Sequence, residues 1–245
     1  MDKDNFYNNY VSTHQAGRKE APSIATLKAR SGKWRRQFGR YLPESKTARI
    51  LDAGCGHGAL LWWLQSEGYE AAEGVDVSPE QIAVGTSLGV KNLNLGMLED
   101  FLNEKTKHYK VIFMRDVLEH IPKENVCSIL SVCKKSLAPG GVVVIQVPNA
   151  DSPFFGRIRY GDFTHENAYN KTSLMQLFNV AGLEPVDFES ATLVPFGART
   201  FFKWLAWKIV SNVYKLALKV EIGPGNYIVS LNIIAVARNN SVDEA

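Results

Sequence analysis

The segment Ile50-Leu51-Asp52-Ala53-Gly54-Cys55-Gly56-His57-Gly58 runs from an apolar strand into a turn with glycine at every second position, and from there into a helix. Alternate glycines let a backbone turn sharply and approach a ligand closely, because a β-carbon there would collide with it. The spacing is GxGxG, not the GxGxxG of dinucleotide folds, and the loop alone is also compatible with an NAD-binding domain. What surrounds it decides. Short apolar runs at 49–52, 71–76, 93–96, 111–115 and 141–147 alternate with helical stretches at 58–66, 79–88 and 123–137. Such alternation predicts a parallel sheet covered by helices on both faces. Ser78 as cap and Pro79 in the first turn mark the start of the second helix. Asp52 and Asp76 each close a strand, the position where an open α/β sheet binds its ligands.

Outside this core, residues 23–41 read as a basic amphipathic helix, preceded by a polar segment rich in Asn, Tyr and His. After the core come a loop at 148–170, a helix at 172–181, a strand at 183–190, a long aromatic-rich helix at 201–220 and a final strand at 227–237. The 245 residues, 45% hydrophobic and 22% charged, suit one sizeable core. The sequence shows neither a run of roughly 20 apolar residues nor a signal-like apolar core near the N-terminus, so a cytoplasmic protein is expected. Cys55, Cys127 and Cys133 are too few for a disulfide framework and lack zinc-type spacing. From Arg18 to Arg49 ten basic residues face two acidic ones. Nucleic acid, an anionic membrane or an anionic substrate would meet that bias; a solvated helix face is the other reading.

The motifs together resemble the class I methyltransferase family. LDAGCGHG, from Leu51 to Gly58, looks like its first motif and GVDVSPEQI, from Gly74 to Ile82, like its second. GMLEDF, from Gly96 to Phe101, lies where the family contacts adenine; MRDVLEHIP, from Met114 to Pro122, resembles its fourth-strand motif, and Leu137-Ala138-Pro139-Gly140-Gly141 the turn before its fifth strand. The resemblance spans about residues 48–188. It implies a Rossmann-like seven-stranded sheet, mostly parallel with the last strand antiparallel, and helices on both faces. An N-terminal lid or helical segment at 1–45 would precede a methyltransferase domain at 46–245. A helical insert at 195–225 would stand where the family has a near-direct hairpin.

The resemblance also implies S-adenosylmethionine as cofactor, with S-adenosylhomocysteine as product. Carried over by position, Ala53, Gly54, Cys55, Gly56 and Gly58 would lie against the methionine moiety, with Asp52 near it. Asp76, with Val77 beside it, would bind the ribose, and Met97 and Leu98 the adenine. Arg115, largely through its backbone, and Asp116 would stand near the sulfonium.

Methyl transfer from a sulfonium is an in-line displacement, so the protein must chiefly hold acceptor and methyl at contact distance. An oxygen acceptor of high pKa also needs a base, and histidine is the default. His165, in Gly161-Asp162-Phe163-Thr164-His165-Glu166-Asn167 after the fifth strand, is the first candidate for base or acceptor-orienting residue. A histidine in this loop ahead of Thr172-Ser173-Leu174 resembles small-molecule and sugar methyltransferases. His120, after the fourth strand, and His14, in the N-terminal segment, are the others. Tyr10, Asn149, Asp162 and Tyr169 are expected at the acceptor. Asp151 and Asp162 suggest a metal only weakly, since no tight ligand cluster surrounds them, and none is expected.

In the long helix Lys208, Ser211, Asn212, Lys215 and Lys219 share one face and Leu205, Ile209, Val213, Leu216 and Val220 the opposite one. With Phe201, Trp204 and Trp207 nearby, such a helix suits peripheral contact with the inner membrane face. The alternative is that the apolar face packs on the domain, over the substrate cleft or in a homodimer. Either way the insert leaves the carboxyl end of a parallel strand and shapes acceptor choice. A small-molecule O-methyltransferase is the leading reading, with a glycan sugar or its nucleotide- or lipid-linked precursor as acceptor. A quinone-type or other hydrophobic phenol is the second acceptor. A nucleic-acid acceptor is not expected, because Arg115-Asp116-Val117-Leu118 stands where amino-group methyltransferases carry an Asn-Pro-Pro-Tyr type signature. A non-catalytic cofactor-binding module is the alternative from another class.

Overall fold

The computed structural model describes residues 21–192 and 197–241. Seven strands form one sheet: β1 (Ile50–Ala53), β2 (Glu73–Asp76), β3 (Leu93–Leu95), β4 (Tyr109–Arg115), β5 (Leu137–Pro148), β6 (Glu184–Ser190) and β7 (Asn232–Arg238). Their order is β3-β2-β1-β4-β5-β7-β6. β7 runs antiparallel between β5 and β6, and the other pairings are parallel.

Burial of the central strands on both faces follows from their near-continuous apolar sequences. Alternate residues divide between two clusters. Ile50, Val111, Phe113 and Val144 point to the side covered by α1 (Ile24–Phe38) and α2 (Ala59–Ser66). Leu51, Ile112, Met114 and Ile145 point to the side covered by α5 (Val126–Ser136) and α7 (Lys171–Val180). Between these helices in the chain lie α3 (Pro79–Ser87), α4 (Leu98–Asn103) and the short α6 (Phe155–Arg159), and α8 (Ala198–Glu221) stands between β6 and β7.

Local sequence starts several helices. Ser23 and Thr26 form a capping box at α1, Ser78 caps α3 ahead of Pro79, and Asn170 and Ser173 form a second box at α7. Only one face of α1 is buried, through Leu27, Trp34 and Phe38. Trp34 packs against Trp63, and Phe38 meets Phe113 edge-on at 5.5 Å. Its basic residues lie outside, Arg35 paired with Glu67 and, just beyond the helix, Arg40 with Asp187.

Some boundaries differ from the sequence expectation. The helix expected at 123–137 begins with a 3-10 turn, and Leu137 already pairs with Tyr109, so β5 runs to twelve residues across an irregularity. The last strand starts at Asn232 and not at 227, because Ile228 and Ser230 give their carbonyls to the Asn149 side chain. α4 and α6 were not anticipated. Among the described residues the apolar face of α8 does not pack on the domain: Trp204, Trp207, Ser211 and Lys215 turn inward, while Ile209, Val213, Leu216 and Val220 are 62 to 80% exposed.

Candidate functional site

Strand order reverses between β1 and β4, and this is where a doubly wound sheet opens a crevice beyond its carboxyl ends. The glycine loop, Asp76, Arg115 and Asp116 all lie at those ends. The loop is stitched to β2 by Gly54 and Cys55 N–H groups donating to the Val75 carbonyl. Gly54 has φ of 67°, and a β-carbon on it would come within 2.3 Å of Val117. Gly56, at φ of 55°, meets nothing closer than 3.7 Å, so its bare face is a cradle into which a ligand fits.

Asp76 is held by the Gly56 N–H at 2.7 Å on one oxygen and the Ser78 N–H at 2.9 Å on the other. Each oxygen keeps a lone pair for a ribose hydroxyl. Burial raises its pKa, and these amide donors oppose the rise. Asp52, buried at the end of β1, is pushed up to about 7 by burial, with the Arg115 charge pulling the other way. Its Oδ2 has no hydrogen-bond partner among the described residues, and neither has the buried Nε of Arg115. An orphaned acceptor and an orphaned donor at neighbouring strand ends match a ligand that carries both an ammonium and a carboxylate. Met97 caps α4 and is exposed at the rim, whereas Leu98 packs partly on the core; Val77 lends its N–H to Asp76.

Beyond the glycine loop, β4 ends in Asp116, whose φ of 55° is unusual for a residue with a side chain. Gln146 holds it, accepting from its N–H at 2.9 Å and donating to its Oδ1 at 3.2 Å. This bend sends Val117 over Gly54 and carries Glu119 and His120 inward. His120 and His165 meet edge-on at 4.7 Å. Thr164 Oγ1 donates to Asp162 at 2.6 Å and so accepts from His120 Nδ1 at 2.9 Å. His165 Nδ1 donates to the Ile158 carbonyl at 3.1 Å, leaving the lone pair on Nε2. Burial, followed by the His165 charge, drives His120 down to about 4, so it is neutral at working pH. Glu119, 1% exposed, lies against the same pair, its pKa well raised by burial and then by Asp116 and Asp162.

Three acceptor expectations change. Asn149 is fully buried; it donates to the Ile228 and Ser230 carbonyls and accepts from the Asp151 N–H, so its polar atoms are spent on backbone. Tyr169 is 5% exposed and donates to the Leu118 carbonyl, pinning the turn that carries Glu119. Asp162 acts through Thr164 on His120. Tyr10, His14 and the expected lid lie outside the described residues. Glu119 is what sequence reasoning missed, although it stands beside a residue that was singled out.

Residues 26–187 match the model of a family described as a methyltransferase domain. The chain belongs to that family. The crevice fits S-adenosylmethionine, the cofactor that the sequence resemblance implies: the glycine cradle, the Asp76 carboxylate and the complementary orphans at Asp52 and Arg115 are what an adenosyl sulfonium with an amino-acid tail needs. Among similar curated proteins, a ubiquinone biosynthesis O-methyltransferase of Xylella fastidiosa is 31% identical over 107 residues, 42% of each chain. Another, from Bordetella avium, is 26% identical over 153 residues, 56% of this chain and 62% of its own. The chain thus spans less than two thirds of the length of these relatives. Among solved structures, a SAM-dependent methyltransferase from Archaeoglobus fulgidus aligns at TM-score 0.68 and 19% identity, over 94% of this chain and 99% of its own. A 1,6-didemethyltoxoflavin-N1-methyltransferase from Burkholderia thailandensis aligns at TM-score 0.57 and 15% identity, over 96% of this chain and 88% of its own. At these identities the structures speak for the fold alone.

Proposed function

We propose that this methyltransferase acts on a hydroxyl of a small molecule, and that this hydroxyl sits against the His120–His165 pair. The observation that carries the reading is the pair itself: two imidazoles whose Nδ1 atoms are tied down meet edge-on in the segments that follow β4 and β5. Bound S-adenosylmethionine supplies a methyl group on a positively charged sulfur. This chain's residues orient the acceptor oxygen and take its proton, and His165 Nε2 is the atom suited to that task.

The partial resemblance to ubiquinone biosynthesis O-methyltransferases supports a phenolic, quinone-type acceptor. The exposed apolar face of α8, flanked by the exposed Lys203, Lys208 and Lys219, supports an acceptor met at an anionic membrane surface. A lipid-linked sugar is the second reading, supported by the histidine loop ahead of α7. Among the described residues no helix is long and apolar enough to cross a membrane, so the contact proposed is peripheral.

The test is transfer of labelled methyl to catechols, hydroxybenzoates and lipid-linked or nucleotide sugars. His165→Ala should lower turnover about 100-fold or more on the productive acceptor while leaving cofactor affinity unchanged. Unchanged turnover removes His165 from the chemistry, and transfer to amines only removes the O-methyl reading.

A further inference from the structure

The segment 153–163, between β5 and His165, exposes apolar rings where a connecting loop is ordinarily polar. Phe154, Tyr160 and Phe163 are 48, 80 and 71% exposed, and they flank the short α6, whose Arg157 also faces outward. The segment's one acid, Asp162, is buried, so its exposed charge is positive. Solvation alone gives no reason for such a cluster, and contiguous apolar surface on a folded domain marks an interaction site. The cluster is continuous with α8. Phe154 meets Trp207 at 6.2 Å, beside the end of the helix where Phe202 is 66% exposed. α8 itself holds five basic side chains and one acid, Glu221, at its last position. At about 100° per residue, Lys203 borders the exposed apolar side on one flank and Lys208 and Lys219 border it on the other. Lysines along both flanks can lay their stems on an apolar surface and lift their charges to a headgroup layer, the depth at which aromatic rings also settle.

We infer that the 153–163 loop and α8 form one continuous surface that docks on an anionic phospholipid bilayer. The inference rests on the peripheral contact proposed for α8 and extends it to the loop that leads to His165. That extension matters because α6 holds the histidine in place. The Ile158 carbonyl accepts from His165 Nδ1 at 3.1 Å, and Arg159 Nη2 donates to the Glu166 carbonyl at 2.9 Å. A loop seated in the headgroup layer therefore brings His165 to the membrane, so that an acceptor anchored in lipid reaches it without leaving the bilayer. The loop's rings supply apolar contact and its arginines supply attraction to lipid phosphate.

The test needs no acceptor, so its failure leaves the methyl-transfer reading standing. The full-length chain is mixed with vesicles of phosphatidylcholine and phosphatidylglycerol in equal parts, and with vesicles of phosphatidylcholine alone. The expected result is capture by the anionic vesicles, with slowed amide hydrogen exchange in both 153–163 and 198–221. Tyr160→Ser with Phe163→Ser should lower vesicle affinity about tenfold or more through lost apolar burial, while S-adenosylhomocysteine still binds. Should the double variant fail to bind S-adenosylhomocysteine through misfolding, the exchange pattern of the wild type decides. No capture at millimolar anionic lipid overturns the inference together with the contact proposed for α8, and equal capture by phosphatidylcholine alone removes the charge on which the choice of lipid rests. Wild-type affinity in the double variant, or protection of 198–221 without 153–163, overturns the continuous surface and leaves α8 as the contact.

Discussion

Asp52 shows how one buried carboxylate can serve both fold and ligand. Burial holds it protonated in the empty protein up to about 7, whereas its ordinary value is 3.8. Between those values the folded state carries the extra proton, so this group's contribution to stability falls as pH rises from about 4 to about 7 and then levels off. An ammonium placed against its orphaned Oδ2 favours the ionised form. Cofactor binding below pH 7 should therefore release a proton, and affinity should rise toward neutral pH. Calorimetry at pH 6 in buffers of different ionisation heats reads that proton directly, and identical heats in all of them would refute the role. The motif around Asp52 was legible because its chemistry is local: strand, glycine turn and helix are contiguous. The Glu119 cluster was not, because its members become neighbours only when the loop after β5 folds back over the β4 turn.

At the scale of elements, periodicity located all seven strands but misjudged their ends. A six-residue helix such as α4 is too short to show a period, and β5 extends because pairing with Tyr109 resumes on the far side of an irregularity. Asn149 illustrates the deeper limit. Its residue type and position past β5 suggest an acceptor contact, yet the chain leading into β7 claims both its donors. Asn149→Ala should thus cost about 2 kcal/mol, as expected for buried carbonyls left unpaired. Thermal unfolding should show a lowered midpoint while the Kd for S-adenosylhomocysteine stays within about twofold. A variant of wild-type stability with a raised acceptor KM would return Asn149 to the acceptor site.

Across the whole molecule, the glycine loop, Asp76 and the His120–His165 pair gather at one end of the sheet, and α8 adds a surface to that end. It leaves β6 on the carboxyl side and touches the loop after β5, where Phe154 meets Trp207 at 6.2 Å. Its exposed apolar residues were predicted as a face, but sequence could not say which face the domain would take. The side that carries Trp207 turned inward, where its ring meets Phe154 of that loop. Cosedimentation with anionic vesicles should capture the protein, and Ile209→Lys with Val213→Lys should release it without changing cofactor affinity. Equal capture of the double variant would assign the face to something other than lipid, a second copy of the chain included.

The crevice between β1 and β4 is the part on which all the rest depends, and calorimetric titration with S-adenosylmethionine tests it most directly. The geometry predicts one molecule bound per chain, weakened by about 1–3 kcal/mol in Asp76→Ala through loss of a charge-assisted hydrogen bond. No heat at high micromolar cofactor, or full affinity in Asp76→Ala, would contradict it.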